Sequence, residues 1–157
     1  MACFTPRLRF TESPTRQFTN PSVPCTLSPL FMPITGALDP SAHLFRTTLT
    51  GRISIADLSQ HIATAQRLRA HEYPGLVDAR GVHTLTFSRR ELMRFAQDIR
   101  AAFGGASPAP RAVVVDGLVY FGMARLFASL VAGWIRIGVF DDMDAAEDWL
   151  ASFVTVP

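Results

Sequence analysis

Short apolar runs that alternate with helical periodicity constrain this chain more than any other feature. Val113-Val114-Val115, held between Arg111 and Asp116, is an unbroken β-branched run too short for a helix and suited to a strand covered on both faces. Helical spacing flanks it. Leu92, Phe95, Ala96, Ile99 and Phe103 recur on one face of residues 88–103, which Gly104-Gly105 ends, and residues 117–132 form a second apolar helical stretch. Upstream, His43–Thr50 reads as a strand closed by Gly51, with Ile34–Leu38 hairpinned onto it through Asp39-Pro40. Ser54–Ala70 reads as a helix opened by a Ser54/Asp57 capping pair and lined by Ile55, Leu58, Ile62, Ala65 and Leu68. Leu76–Arg80 and Ile135–Phe140 supply two more strands, and Asp142–Phe153 the last helix. Such alternation builds βαβ units with right-handed crossovers. The expected fold is therefore a single α/β domain over residues 34–154, a four- to five-stranded, mostly parallel sheet with about four helices. A chain of 157 residues, 48% of them hydrophobic, has room for one such core and not for two.

Residues 1–31 differ in kind. Pro6, Pro14, Pro21, Pro24 and Pro29 are interleaved with Ser and Thr and sustain neither period, so a disordered tail is expected. Met32 directly precedes the patterned sequence, which leaves two readings open: a flexible tail, or a gene start placed too early with translation beginning at Met32. A transit peptide is a third, opposed by Glu12 and the prolines. Arg7, Arg9 and Arg16 against Glu12 give the tail the whole net charge of +2, while the arginines and acids of the remainder cancel. A body without basic excess argues against a nucleic-acid partner. Cys3 and Cys25 both lie in the tail, where they neither staple the core nor complete a four-ligand zinc site, and a reducing cytoplasm fits them. No apolar signal region follows Met1. The most apolar window, Gly117–Gly133, carries Arg125 at its centre, so no membrane span is expected.

The order and wording of these segments resemble the SpoIIAA-like family of the STAS superfamily, similar in fold to bacterial anti-sigma-factor antagonists. The matching stretches are Leu49-Thr50-Gly51-Arg52-Ile53, Leu76-Val77-Asp78-Ala79-Arg80, Val119-Tyr120-Phe121-Gly122-Met123-Ala124-Arg125, and Val139-Phe140-Asp141-Asp142 running to Ala145-Ala146-Glu147-Asp148-Trp149-Leu150, within about residues 38–152. The resemblance implies a STAS-like sheet with helices, no cofactor, and a role in binding or regulation. The chain departs from the family at one place. The antagonists carry an Asp-Ser-Ser-Gly-type motif with a phosphorylatable Ser at the start of the second helix, and here the sequence reads Leu85-Thr86-Phe87-Ser88-Arg89-Arg90-Glu91. The switch does not carry over intact.

Individual residues have competing readings. Ser88 with Glu91 three residues on is a capping box; Ser88, or Thr86 beside it, is alternatively a phosphoacceptor facing a helix N-terminus and Arg89 and Arg90. The carboxyl ends of parallel strands face one crevice, and Arg52, Asp78, Arg80, Asp116, Asp141 and Asp142 are expected there with His83 and Tyr120. A small cofactor-independent hydrolase-like or isomerase-like site built from Asp78, His83, Asp116 and Tyr120 competes with a plain reading: an Asp78–Arg80 ion pair, Asp116 capping the third helix through Gly117, and His83 on a surface loop. Asp141, Asp142, Asp144, Glu147 and Asp148 open the last helix, where its dipole stabilises acids, and no metal site is expected. His43, His61 and His71 share no helix face and receive no role. On the third helix Val119, Tyr120, Met123, Leu126, Phe127, Leu130 and Val131 form one broad face, and Leu118, Phe121, Gly122, Arg125 and Ser129 the other.

The function that these residues support is a small, non-catalytic, cytoplasmic bacterial binding or regulatory module with no cofactor. Its expected contact residues are Arg80, Ser88, Arg89, Leu118, Tyr120, Phe121, Gly122 and Arg125. A protein partner, a second copy of the chain, or a lipid-like small ligand with an anionic head suits a surface of that chemistry.

Overall fold

Reciprocal caps fix where the first two long helices begin. The Ser54 hydroxyl accepts from the Asp57 amide while the Asp57 carboxylate accepts from the Ser54 amide, opening α1 (Ile55–Arg67). Ser88 and Glu91 repeat the exchange for α2 (Arg89–Ala102). The third helix, α3 (Leu118–Val131), starts at Gly117 with φ +85° and no side-chain cap, so Asp116 does not play the part expected of it. At α4 (Met143–Ala151) the Asp142 carboxylate accepts from the Ala145 amide. The computed structural model describes residues 32–154; the readings of the tail, including Cys3 and Cys25, lie outside the described residues.

The strands are β1 (Ile34–Asp39), β2 (Leu44–Ile53), β3 (Gly75–Leu85), β4 (Arg111–Val114) and β5 (Ile137–Phe140), and they lie in the sheet in chain order. The first pair is an antiparallel hairpin and every later pair is parallel, which is the α/β sheet expected from the alternation. Some boundaries move. Gly51, at φ +73°, sits inside β2 and does not end it, α1 stops at Arg67 where Arg69 turns at φ +54°, and β5 begins at Ile137. The largest difference is β3, which runs five residues past Arg80. Its register against β2 slips twice, between Thr48/Thr50 and Gly51/Arg52, each time giving β3 one residue more than its partner. Each slip reverses the alternation, so Ala79, Val82 and Leu85 share a face where strict alternation would separate them.

Parallel neighbours joined in chain order by crossovers of one hand place their connecting helices on one face. The packing follows that rule: α1, α2 and α3 cover one side, and α4 alone covers the other. Leu44, Leu76, Ala112 and Val114 meet Ala146 and Leu150 of α4. On the three-helix side Leu92, Phe95, Ala96 and Ile99 of α2 pack with Val131 and Ile135, and Ile53, Ala79, Val82 and Val115 line the sheet. Among the described residues no helix is long and apolar enough to cross a membrane.

Because α4 rests on the sheet chiefly through Leu150, 3% exposed, truncation there has a large expected cost. Leu150→Ala should lose about 2–5 kcal/mol of unfolding free energy in urea denaturation. Leu118→Ser, at a position 91% exposed, should change it by less than about 0.5 kcal/mol. Equal losses at the two sites would contradict this layering.

Candidate functional site

Beneath the three helices the central strand β3 presents small residues. Gly75, Val77, Ala79 and Val82 follow one another along β3, while the side chains above them include Leu58 and Ile62 of α1, Phe95 and Ile99 of α2, and Met123 and Phe127 of α3. Large side chains over small ones do not close the gap. A cavity of about 240 Å³ remains, running along β3 from Gly75 to Leu85. That is larger than the roughly 150 Å³ of an apolar cavity known to take up benzene. Its walls are almost wholly apolar, and among the described residues no Asp or Glu lines it.

The polar groups gather where β3 and β4 begin. Arg111, the first residue of β4, folds its side chain across Gly75, so closely that a Cβ added there would lie 2.5 Å from Arg111 Cδ. Its Nη1 donates to the carbonyls of Tyr73, Ala109 and Pro110, and Nη2 to that of Ala70 at 3.0 Å. These bonds tie the turn before β3 to the loop before β4. Burial pushes the guanidinium down to about 10, which leaves it charged at neutral pH, and among the described residues no carboxylate pairs with it.

Two histidines share the cavity wall. His71 packs edge-on against Phe103 with ring centroids 5.4 Å apart, and its Nδ1 is buried without a hydrogen-bond partner. His61 stacks on Phe45 and places Nε2 3.4 Å from the hydroxyl of Thr47, a residue 3% exposed. Burial, and secondarily the Arg111 charge, hold the His61 imidazole below its ordinary value, so it is neutral at pH 7.

The residues expected from the sequence lie elsewhere. Asp78 and Arg80 follow Leu76 on the α4 face of β3, alternating with the cavity residues Val77 and Ala79, and form a two-pronged ion pair, Nε to Oδ1 at 2.9 Å and Nη2 to Oδ2 at 2.8 Å. The Asp78 hydrogen bonds lead in raising the Arg80 guanidinium, with smaller contributions from the charges of Asp116 and Asp142. The acids expected in a strand-end crevice thus balance Arg80. His83 is an exposed strand residue, not a loop residue, and its carbonyl accepts the Tyr120 hydroxyl. Tyr120 packs with the Ile53 and Val82 cluster, across the sheet from Asp78. Asp78, His83, Asp116 and Tyr120 therefore do not converge.

Ser88 is exposed and engaged in its cap with Glu91; Arg89 is exposed beside it, and the Thr86 hydroxyl donates to the Ile53 carbonyl. On α3 the expected faces need correcting. Val119 is 74% exposed and Leu130 lies outward, whereas Phe121, placed on the outer face, is half-buried against the core with the Arg125 guanidinium 5.9 Å from its ring centre. Leu118, Gly122 and Arg125 are exposed as expected. The cause is position: the first turn of α3 starts beyond the end of β4, so Val119 has no strand beneath it.

Thr47, His61, His71 and Arg111 were the residues that sequence reasoning passed over. Only Arg111 carried a signal, as a cation opening the most apolar strand directly after Pro108 and Pro110. The lowered His61 value fixes a pH dependence. A histidine held neutral in the fold contributes stability present above its ordinary value near 6.5, and that contribution is lost as pH falls through the lowered folded value. Asp39, Asp78 and Glu91 are all held low and begin to matter only near and below about pH 4, in the ordinary carboxylate range. Urea midpoints taken between pH 7.5 and pH 5 should fall for the native chain and fall less for His61→Phe; matching slopes would contradict the assignment.

Neither a family model nor a curated protein matches the chain. Among solved structures it is similar to the crystal structure of an uncharacterized protein of the DUF3478 family with a SpoIIAA-like fold from Shewanella loihica PV-4. The two are 18% identical over 74% of this chain and 93% of that one, with a TM-score of 0.49. The likeness concerns the fold.

Proposed function

We infer that the chain is a small binding module that takes an apolar or amphiphilic small molecule into the space between its sheet and its three-helix layer. One observation carries this reading: the cavity of about 240 Å³ is walled by side chains from the sheet and from α1, α2 and α3, with nearly all of its surface apolar. An apolar molecule that displaces no well-bonded water and strips no charge gains about 25 cal/mol for each Å² it buries. The volume sits below the roughly 300–1,000 Å³ of sites for drug-sized ligands, which favours a single slender chain over a ring system. A regulatory role follows if occupancy alters α3, whose residues Met123, Ala124 and Phe127 form part of the wall and whose exposed turn carries Leu118 and Arg125. The catalytic alternative has less support, since Asp78 and Tyr120 lie on opposite faces of the sheet.

Titration with cis-parinaric acid, a slender polyene chain that fluoresces when taken out of water, tests the reading. Its fluorescence should rise saturably with the native chain, and Ala124→Phe, which puts a ring into the cavity, should weaken binding at least about tenfold while leaving the circular dichroism unchanged. Equal binding by the folded variant would place the probe on the surface and contradict the proposal.

A further inference from the structure

We propose that the Arg111 end of the cavity is a receptor for the carboxylate of a fatty-acid-like monoanion, with the alkyl chain lying along β3. The proposal rests on the binding role argued above and adds the head group and the orientation. Three observations meet at that end. Among the described residues the cavity wall carries one cation, Arg111, and no anion. A buried charge is ordinarily paired, and four carbonyls supply dipoles but no counter-charge. Of the five guanidinium N–H groups, Nη1 spends its two on three carbonyls and Nη2 spends one on Ala70, so the Nε group and the second Nη2 group make no hydrogen bond among the described residues. Nε and Nη2 are the same two nitrogens with which Arg80 grips the carboxylate of Asp78 elsewhere in this protein.

The surroundings fit the same occupant. His71, with its buried and unpartnered Nδ1, offers a third donor when it carries its proton there. Gly75 leaves the space in which the Arg111 side chain lies, since a Cβ would come within 2.8 Å of Nε. His61, neutral beside a fixed positive charge, adds no second cation, so a single negative charge balances the site. Beyond Thr47 and His61 the wall offers a long tail only apolar contacts until Tyr120, whose hydroxyl is committed to the His83 carbonyl.

Calorimetric titration of the full chain with decanoate, 1-decanol and decyl phosphate at pH 7.5 separates the possibilities. Decanoate should bind about ten- to a hundredfold tighter than decanol, the range expected for a charge-assisted hydrogen bond, and Arg111→Gln should remove that preference while keeping decanol. A wild-type measurement guards against an unfolded variant: bound decanoate should raise the His61 titration followed by NMR, by cancelling the Arg111 charge, and decanol should not. Equal binding of decanol and decanoate, an unmoved His61, or tighter binding of the phosphate would overturn the carboxylate assignment and leave the cavity reading intact. Failure of all three compounds to bind would overturn both.

Discussion

A sheet that grows one parallel strand at a time, always toward the same edge, stacks its crossover helices on a single face, and everything else in this protein depends on that constraint. Three helices of thirteen or fourteen residues lie over a sheet face only five strands wide, with β4 and β5 just four residues long. Close packing there requires large residues on the sheet to fill the grooves between helices. Gly75 and Ala79 are instead among the smallest available, and the aromatic rings of Phe95 and Phe127 stack on each other with centroids 5.9 Å apart. The opposite face shows the contrast: α4 alone presses Ala146 and Leu150 onto Ala112 and Val114, leaving those residues between 0% and 3% exposed. One side of the sheet is a core. The other is a core with an opening along its middle.

That opening determines how charge is handled. On the α4 side arginines meet carboxylates near the surface, Arg80 with Asp78 and Arg46 with Glu147, where water screens them and each pair contributes little. On the helical side Arg111 is half-buried and, among the described residues, held by main-chain carbonyls alone. Its bonds close the base of the cavity by joining the turn at Ala70–Tyr73 to the loop at Ala109–Pro110. The same side chain is therefore a structural clasp and a source of positive potential, and His61, lowered first by its own burial, is lowered further by that charge.

Much of the fold was legible from local chemistry. Capping pairs at Ser54/Asp57 and Ser88/Glu91 mark helix starts in four residues, and the valine run needs two covered faces wherever it sits. The end of β3 was not legible, because its two register slips break the alternation that identifies a strand, leaving Gly81-Val82-His83-Thr84-Leu85 without a period. The wheel for α3 failed for a related reason: a helix apolar on all sides does not reveal which side overhangs the sheet. The cavity was still less accessible, being a difference between side-chain volumes on four elements far apart in sequence. His61 and His71 share no helix face, yet α1 runs back against the strands and brings His61 toward the amino-terminal edge of the sheet, where Arg111 begins β4. The sequence pointed to the opposite edge, since ligands in open parallel sheets usually sit at strand carboxyl ends.

The central claim is that a fillable apolar space separates the sheet from the three-helix layer, and xenon tests it most directly. An apolar cavity of this size takes up the gas, whereas a well-packed core does not. A crystal of the protein pressurised with xenon should show density among Ala79, Phe95 and Phe127. Absence of xenon there, with Phe95 and Phe127 collapsed onto Val77 and Ala79, would contradict the account.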